Sequence, residues 1–335
     1  MWVRIAPMTD PRGASREPIV LVVGDAAVDW LLRVADYPSR GGNAWSPAPE
    51  MRPGGSGTNV AVNLVRMGVA ARFVGRLADD DAGVLLRADL EAEHVLLDGL
   101  VPERGGRTPV VVAVLDGAGE RTLISASAGS AQWQLEASDV GEAVWHEVAW
   151  MHASGICLAQ EPSRTAILLV LEEARRRGVP TSLDVNLRLD GSQLGSDVRE
   201  ALLTGVGLAD VVFAARDEAL ALTGAATVEG ALGQLGDTAR RGIVRLGAGG
   251  SIASDGKGAH LRSAAFAATV VDQLGAGDAF DAGFIAASVK GLGPEEALRW
   301  ANAAAALNVS GVGARAFPGL PALHATLRAG AVRLT

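Results

Sequence analysis

Asp272-Gln273-Leu274-Gly275-Ala276-Gly277-Asp278-Ala279-Phe280 sets a glycine-rich turn ahead of a helical pattern: Phe280, Gly283, Phe284 and Ala287 recur at i, i+3, i+4 and i+7 before Gly291. The loop therefore feeds a helix N-terminus, where main-chain N–H groups and the positive end of the helix suit an anion. Gly275 and Gly277 permit close approach of a ligand, and Asp278 would stand beside it as a base. The plainer reading of the same residues is an N-capping Asp behind a flexible loop.

A second loop of this kind lies far upstream at Gly54-Gly55-Ser56-Gly57-Thr58-Asn59, followed by Val60, Leu64 and Met67 at helical spacing and Gly68 as the closing residue. Asn59 falls in the first turn, where its amide can bond a neutral polyol. Between and around the loops, β-branched apolar runs at Ile19 to Val23, Ala71 to Val74, Val148 to His152, Thr181 to Asp184, Val211 to Phe213 and Ile243 to Leu246 alternate with helical segments. That alternation predicts an α/β fold with a mostly parallel sheet covered by helices. Pro109 to Leu115 and Arg121 to Ser125 flank Asp116-Gly117-Ala118-Gly119, a hairpin pattern and a small antiparallel extension.

With both loops in this order, the chain resembles the ribokinase-like (PfkB) carbohydrate kinase family. The carrying segments are GGSGTNVAVNLVRMG from Gly54 and DQLGAGDAFDAGF from Asp272, with Val74 to Gly83 and Arg245 to Gly250 between them, over about residues 19 to 320. The resemblance implies a three-layer α/β/α kinase domain over residues 18–335, behind a flexible leader at 1–17. It also implies a small antiparallel β lid near 34–52 and 106–126, often packed against a second subunit as a homodimer.

The same resemblance implies a reaction, transfer of the γ-phosphoryl of ATP to a hydroxymethyl group, with Asp278 as general base and Gly275, Ala276 and Gly277 as anion hole. Such transfer is mostly alignment and charge neutralisation, so a carboxylate, N–H donors and Mg²⁺ are chemically sufficient. Asp29, Gly54, Gly55 and Asn59 match the sugar-binding positions. Arg245, Gly247, Gly249 and Gly250 match the nucleotide loop, with Asn302 near the adenine and Asn186 also on the nucleotide side. Glu218 matches a residue that orders water around Mg²⁺, although Ala215 stands where the family often has Asn. Asp272 and the carbonyl of Gly313 match a site for a monovalent cation such as K⁺. Arg188, in the run Asp184-Val185-Asn186-Leu187-Arg188, is read either as neutralising a phosphate or substrate carboxylate or as part of a local ion pair.

The acceptor is expected to be a hexose, 2-keto-3-deoxygluconate or a pentose. Ser56, where ribokinase proper uses Lys, leans away from ribose. A nucleoside kinase of the adenosine type is the alternative within the same chemistry and would need aromatic or apolar walls. A sugar or nucleotide sensor without catalysis is the alternative from another class, against which the presence of Asp278 counts.

Several classes fall away on composition. Of 335 residues 49% are hydrophobic and the formal charge is −8, which disfavours nucleic acid and anionic membranes as partners. Lys257 and Lys290 are the only lysines, and neither belongs to a G-x-x-x-x-G-K-[ST] loop, so a P-loop NTPase is excluded. No G-x-G here has the third glycine of a dinucleotide fingerprint. Cys157 is the sole cysteine, and no apolar run is long enough to span a membrane, so a cytoplasmic setting is expected. His146, His152 and Cys157 are read as structural rather than as metal ligands, and Trp133, Trp145 and Trp150 as core or interface aromatics.

Overall fold

A computed structural model describes residues 17–117, 121–187, 194–238, 241–254 and 259–330. The leader expected at 1–17 lies almost wholly outside them, as do Arg188 and the tip of the 116–119 turn. The strands, in chain order, are β1 (Ile19–Val23), β2 (Ala27–Arg33), β3 (Glu50–Gly54), β4 (Ala70–Ala78), β5 (Leu96–Glu103), β6 (Val110–Leu115), β7 (Arg121–Ala126), β8 (Val148–Ser154), β9 (Thr181–Asp184), β10 (Val211–Ala215), β11 (Arg241–Arg245), β12 (Ser251–Ser254) and β13 (His260–Ser263). The helices are α1 (Ser56–Arg66), α2 (Asp81–Ala92), α3 (Ser163–Arg177), α4 (Ser196–Leu208), α5 (Arg216–Thr223), α6 (Val228–Thr238), α7 (Ala276–Val289), α8 (Pro294–Val309) and α9 (Leu320–Ala329).

Strand alternation builds the three layers. In β1, Val20 and Val22 pack with Val60, Leu64, Phe280 and Phe284 of α1 and α7. Leu21 and Val23 pack on the other face with Ile167, Leu202, Leu222 and Leu232 of α3 to α6. A strand buried on both faces reads as a continuous apolar run, which is why Ile19 to Val23 is legible in the sequence. The large sheet runs β13-β12-β11-β10-β9-β8-β1-β4-β5. It is parallel from β5 to β11, and β12 and β13 close one edge antiparallel. Strand order reverses around β1, between β8 and β4, and the crevice at such a reversal is where open α/β sheets bind ligands.

The large sheet exceeds its sequence reading. β4 continues to Ala78, and β5, β12 and β13 have no counterpart among the apolar runs. β5 holds Gly99 and Pro102 and is half exposed, while β12 and β13 have four residues each, so none shows a readable period.

The small sheet is ordered β3-β2-β6-β7. β2, which carries Asp29, belongs to it and falls outside the segments read as the lid. Its edge strand β3, Glu50–Gly54, begins at the end of the expected 34–52 segment and runs past it. Two of its pairings are antiparallel, but β2 runs parallel to β6.

Candidate active site

Helix α7 reaches the crevice because its apolar length is clamped to the sheet. Phe213 of β10 meets Phe280 edge-on at 6.2 Å and Phe284 at 5.4 Å, contacts worth about 0.5–1.5 kcal/mol each beyond burial. At its start Gly275 is left-handed, with φ of 71°, and a Cβ there would lie 2.0 Å from the carbonyl oxygen of Ala314. Only glycine fits. The N–H groups of Gly275, Gly277 and Asp278 make no hydrogen bond among the described residues, so this turn fits a phosphate by its donors.

Asp278 is 7% exposed. Its Oδ1 accepts from Ser56 Oγ at 2.7 Å and its Oδ2 from Asn59 Nδ2 at 2.8 Å, so the two glycine loops converge on one carboxylate. Burial pushes this carboxyl up to about 6, against the lowering effect of those two bonds. A carboxylate with that pKa is ionised at neutral pH and basic enough to take an alcohol proton during reaction.

The loop before α1 is held from both sides. Asp25 Oδ2 accepts from Ser56 N at 2.8 Å and Oδ1 from Gly57 N at 3.3 Å, which places a carboxylate on the positive end of α1. Gly55 has φ of 94° and abuts Ala26 and Ala27 so closely that a Cβ would sit 2.7 Å from their backbone. Arg315 donates to Asn59 Oδ1 at 2.8 Å and Thr58 Oγ1 at 2.9 Å, and pairs with Asp89. Because the oxygen of Asn59 is taken by Arg315, its amide nitrogen turns toward Asp278.

The C-terminal ends of the parallel strands supply the rest. Asn186, after β9, has φ of 40° and donates to Ser56 Oγ at 2.6 Å. The family resemblance puts it with the nucleotide residues, yet it belongs to the Asp278 network; the left-handed backbone is one that Asn tolerates. Arg245, which the resemblance also gives to the nucleotide, is held among carboxylates: Asp184 at 2.8 Å, Asp281 at 3.0 Å and Glu218 at 3.3 Å. Glu218 additionally accepts from Ala215 N at 2.6 Å. One of its oxygens is thus engaged, and Mg²⁺ at this site would be held largely through phosphates and water.

Asp25, Asp29, Gly55, Asn59, Asn186, Gly275 and Asp278 line one cavity of about 500 Å³. Asp29 reaches it from β2, opposite Arg52 of β3, while Gly54 pairs with Ala27 two register positions away. Val111 and Leu123 of the small sheet and Trp133, Ile156 and Leu202 supply apolar wall. Trp133 is therefore a wall residue as well as a core one. Gly247, Gly249 and Gly250 form a tight turn after β11, outside that lining, and Asn302 is buried with its amide nitrogen bonded to Ser251 Oγ at 2.9 Å and Leu298 O at 3.0 Å. An amide so engaged is a brace first, and an adenine contact would have to fall to its oxygen. Asp272 and Gly313 do meet, but through the N–H of Gly313 at 2.9 Å rather than its carbonyl, and Leu274 N takes the other carboxylate oxygen. With both oxygens accepting from backbone N–H groups, Asp272 braces this loop.

His152 is buried against Ser182 at 2.9 Å, and burial lowers its pKa to about 4. His146 is exposed and Cys157 buried, and no metal-holding cluster occurs among the described residues. No helix among those residues is long and apolar enough to cross a membrane.

Residues 18–322 match the model of the pfkB family of carbohydrate kinases. A fructokinase from Klebsiella pneumoniae is 32% identical over 80% of this chain and 83% of its own. An ATP-dependent ribose-1-phosphate kinase from Halopiger xanaduensis is 34% identical over 92% and 97%. A double-mutant fructokinase from Vibrio cholerae, solved with fructose, ADP and potassium ion bound, superimposes with a TM-score of 0.79 at 30% identity, covering 93% of this chain and 98% of that one. Fold, site loops and family match agree over nearly the same span, and the chain belongs to the PfkB family of carbohydrate kinases.

Proposed function

We propose that this kinase transfers the terminal phosphoryl group of MgATP to a hydroxymethyl group of a sugar or sugar acid, a hexose first among the candidates, with Asp278 as general base. The observation that carries the proposal is the buried Asp278 carboxylate, held by Ser56 and Asn59 beside unpaired N–H groups and opening on the cavity that Asp29 lines. In this reading Asp29 accepts from sugar hydroxyls, and Asp278 takes the proton of the attacking hydroxyl. Gly275, Gly277 and Asp278 offer their N–H groups to the charge that develops on the phosphoryl oxygens. Bound Mg²⁺ supplies further neutralisation of the phosphates. K⁺ is kept as an activator to be tested, on the support of the potassium-bound fructokinase.

The relatives divide between fructose and ribose 1-phosphate in their names, so the acceptor is settled by assay. Release of ADP from MgATP, with and without K⁺, should rise with one class in a panel of hexoses, pentoses, 2-keto-3-deoxy sugar acids and nucleosides. Nucleosides belong there because Trp133, Ile156 and Leu202 give the apolar wall that a base would need. ATP binding with no response to any acceptor would favour a sensor.

The small sheet is the proposed lid, and its outer face suggests the partner. Met51, Trp30, Val112 and Ile124 are cross-strand neighbours in one row, with Met51, Trp30 and Ile124 at 42%, 43% and 53% exposure. A second copy of the chain would cover this row in a homodimer. Sedimentation should show a dimer at micromolar concentration that Trp30→Glu converts to monomer; a monomeric wild type would overturn it. A cytoplasmic setting belongs to the same reading, on the support of the single buried Cys157.

A further inference from the structure

Among the described residues, Gln132 is the one polar side chain of the cavity wall that is both deeply buried and without a partner. It sits in a short turn at Ala131–Trp133 and is 6% exposed, yet its amide makes no hydrogen bond to any of those residues. Everything around it is tied down. Ala131 N donates to Arg107 O at 2.9 Å, Trp133 N to Ser130 O at 3.1 Å, Gln134 N to Ala131 O at 3.0 Å, and the Trp133 indole to Ser127 O at 2.6 Å. The amide is thus presented on a rigid turn, where a hydroxyl entering the cavity can bond it.

The charge of the wall says what that something is. Its described residues include the carboxylates Asp25, Asp29 and Asp278 and no Lys, Arg or His, so an anionic acceptor would be repelled by them; residues 188–193, between the lining residues Leu187 and Leu194, lie outside the described residues. An amide both donates and accepts, as a hydroxyl does. We propose that Gln132 is a specificity-determining residue whose amide bonds a hydroxyl of an uncharged acceptor, at the part of the molecule away from the group that Asp278 addresses. This rests on the kinase reading of the site and deepens it, since it ranks neutral sugars above sugar acids and sugar phosphates.

The test compares wild type with Gln132→Leu, of similar shape and without the amide, in steady-state assays with D-fructose, other neutral hexoses, D-ribose, adenosine, 2-keto-3-deoxygluconate and ribose 1-phosphate. Wild type should favour a neutral acceptor over both anions by about tenfold or more in kcat/KM. The variant should raise KM for that acceptor by about 10- to 100-fold, with KM for ATP unchanged. Its Tm should stay unchanged, because the amide makes no hydrogen bond to the described residues. A monodeoxy analogue of the acceptor should reproduce the loss in wild type and lose little more in the variant.

An active wild type that prefers either anion, or a variant with unchanged KM, would overturn this proposal and leave the kinase reading standing. A fall in Tm that accompanies the rise in KM would make the amide structural and overturn it too. A wild type silent on every acceptor would contradict the kinase reading, and this inference with it.

Discussion

Asp278→Asn is expected to lower kcat for sugar phosphorylation by about 10²- to 10⁴-fold, while the affinities for ATP and sugar change little. The substitution keeps the size and most of the hydrogen bonding of the side chain but cannot take a proton. Steady-state kinetics with equilibrium binding of each ligand would measure both effects. The same variant should be no less stable than wild type at neutral pH. Burial raises the Asp278 carboxyl from 3.8 to about 6 in the folded chain. A group raised in this way contributes its full stability below its unfolded value and loses it as pH rises through about 6. Asparagine does not titrate, so the difference in stability between variant and wild type should grow in favour of the variant across that window. Turnover that survived Asp278→Asn would exclude the carboxylate as base.

Arg245→Met is expected to destabilise the fold by about 3–5 kcal/mol, the usual consequence of removing one partner from a buried charge cluster. The arginine side chain is 14% exposed, Asp184 2% and Asp281 0%, so water cannot take over its role. Asp281 Oδ2 has no partner among the described residues, and burial, followed by the neighbouring Asp184 charge, holds the Asp281 carboxyl well above the usual range. Without Arg245 the Asp281 carboxyl would rise further. A folded-state pKa of Asp281 above its unfolded one means that the variant recovers stability as pH falls toward the ordinary carboxylate range. Denaturant unfolding at pH 5 and pH 8 should therefore show the larger deficit at pH 8. The reading of Arg245 as a phosphate ligand makes a different forecast: normal stability and a raised KM for ATP alone.

The contrast between those forecasts marks what sequence can reveal. Both glycine loops are legible because their signal is local: a turn, a polar residue and a helical period within about a dozen positions. The central strands are legible because burial on both faces makes an unbroken apolar run. The Arg245 cluster draws on β9, α5, β11 and α7, and Asn59 is oriented by Arg315, 256 positions away, so neither leaves a pattern within any short window. The bond from Asn186 to Ser56, which lies 130 positions upstream, escapes a sequence reading for the same reason. Gln132 carries no signal at all. Its interest comes from having no partner among the described residues, which only the folded structure can show.

The pH dependence of kcat/KM for the acceptor at saturating MgATP tests the central claim most directly, because it observes the base before the acceptor binds. Burial raises the Asp278 carboxyl, and the negative charges of Asp184 at the end of β9 and Asp25 after β1 act in the same direction. The account predicts an acid limb with its midpoint close to 6. A midpoint near 4, or a rate indifferent to pH between 5 and 8, would contradict it.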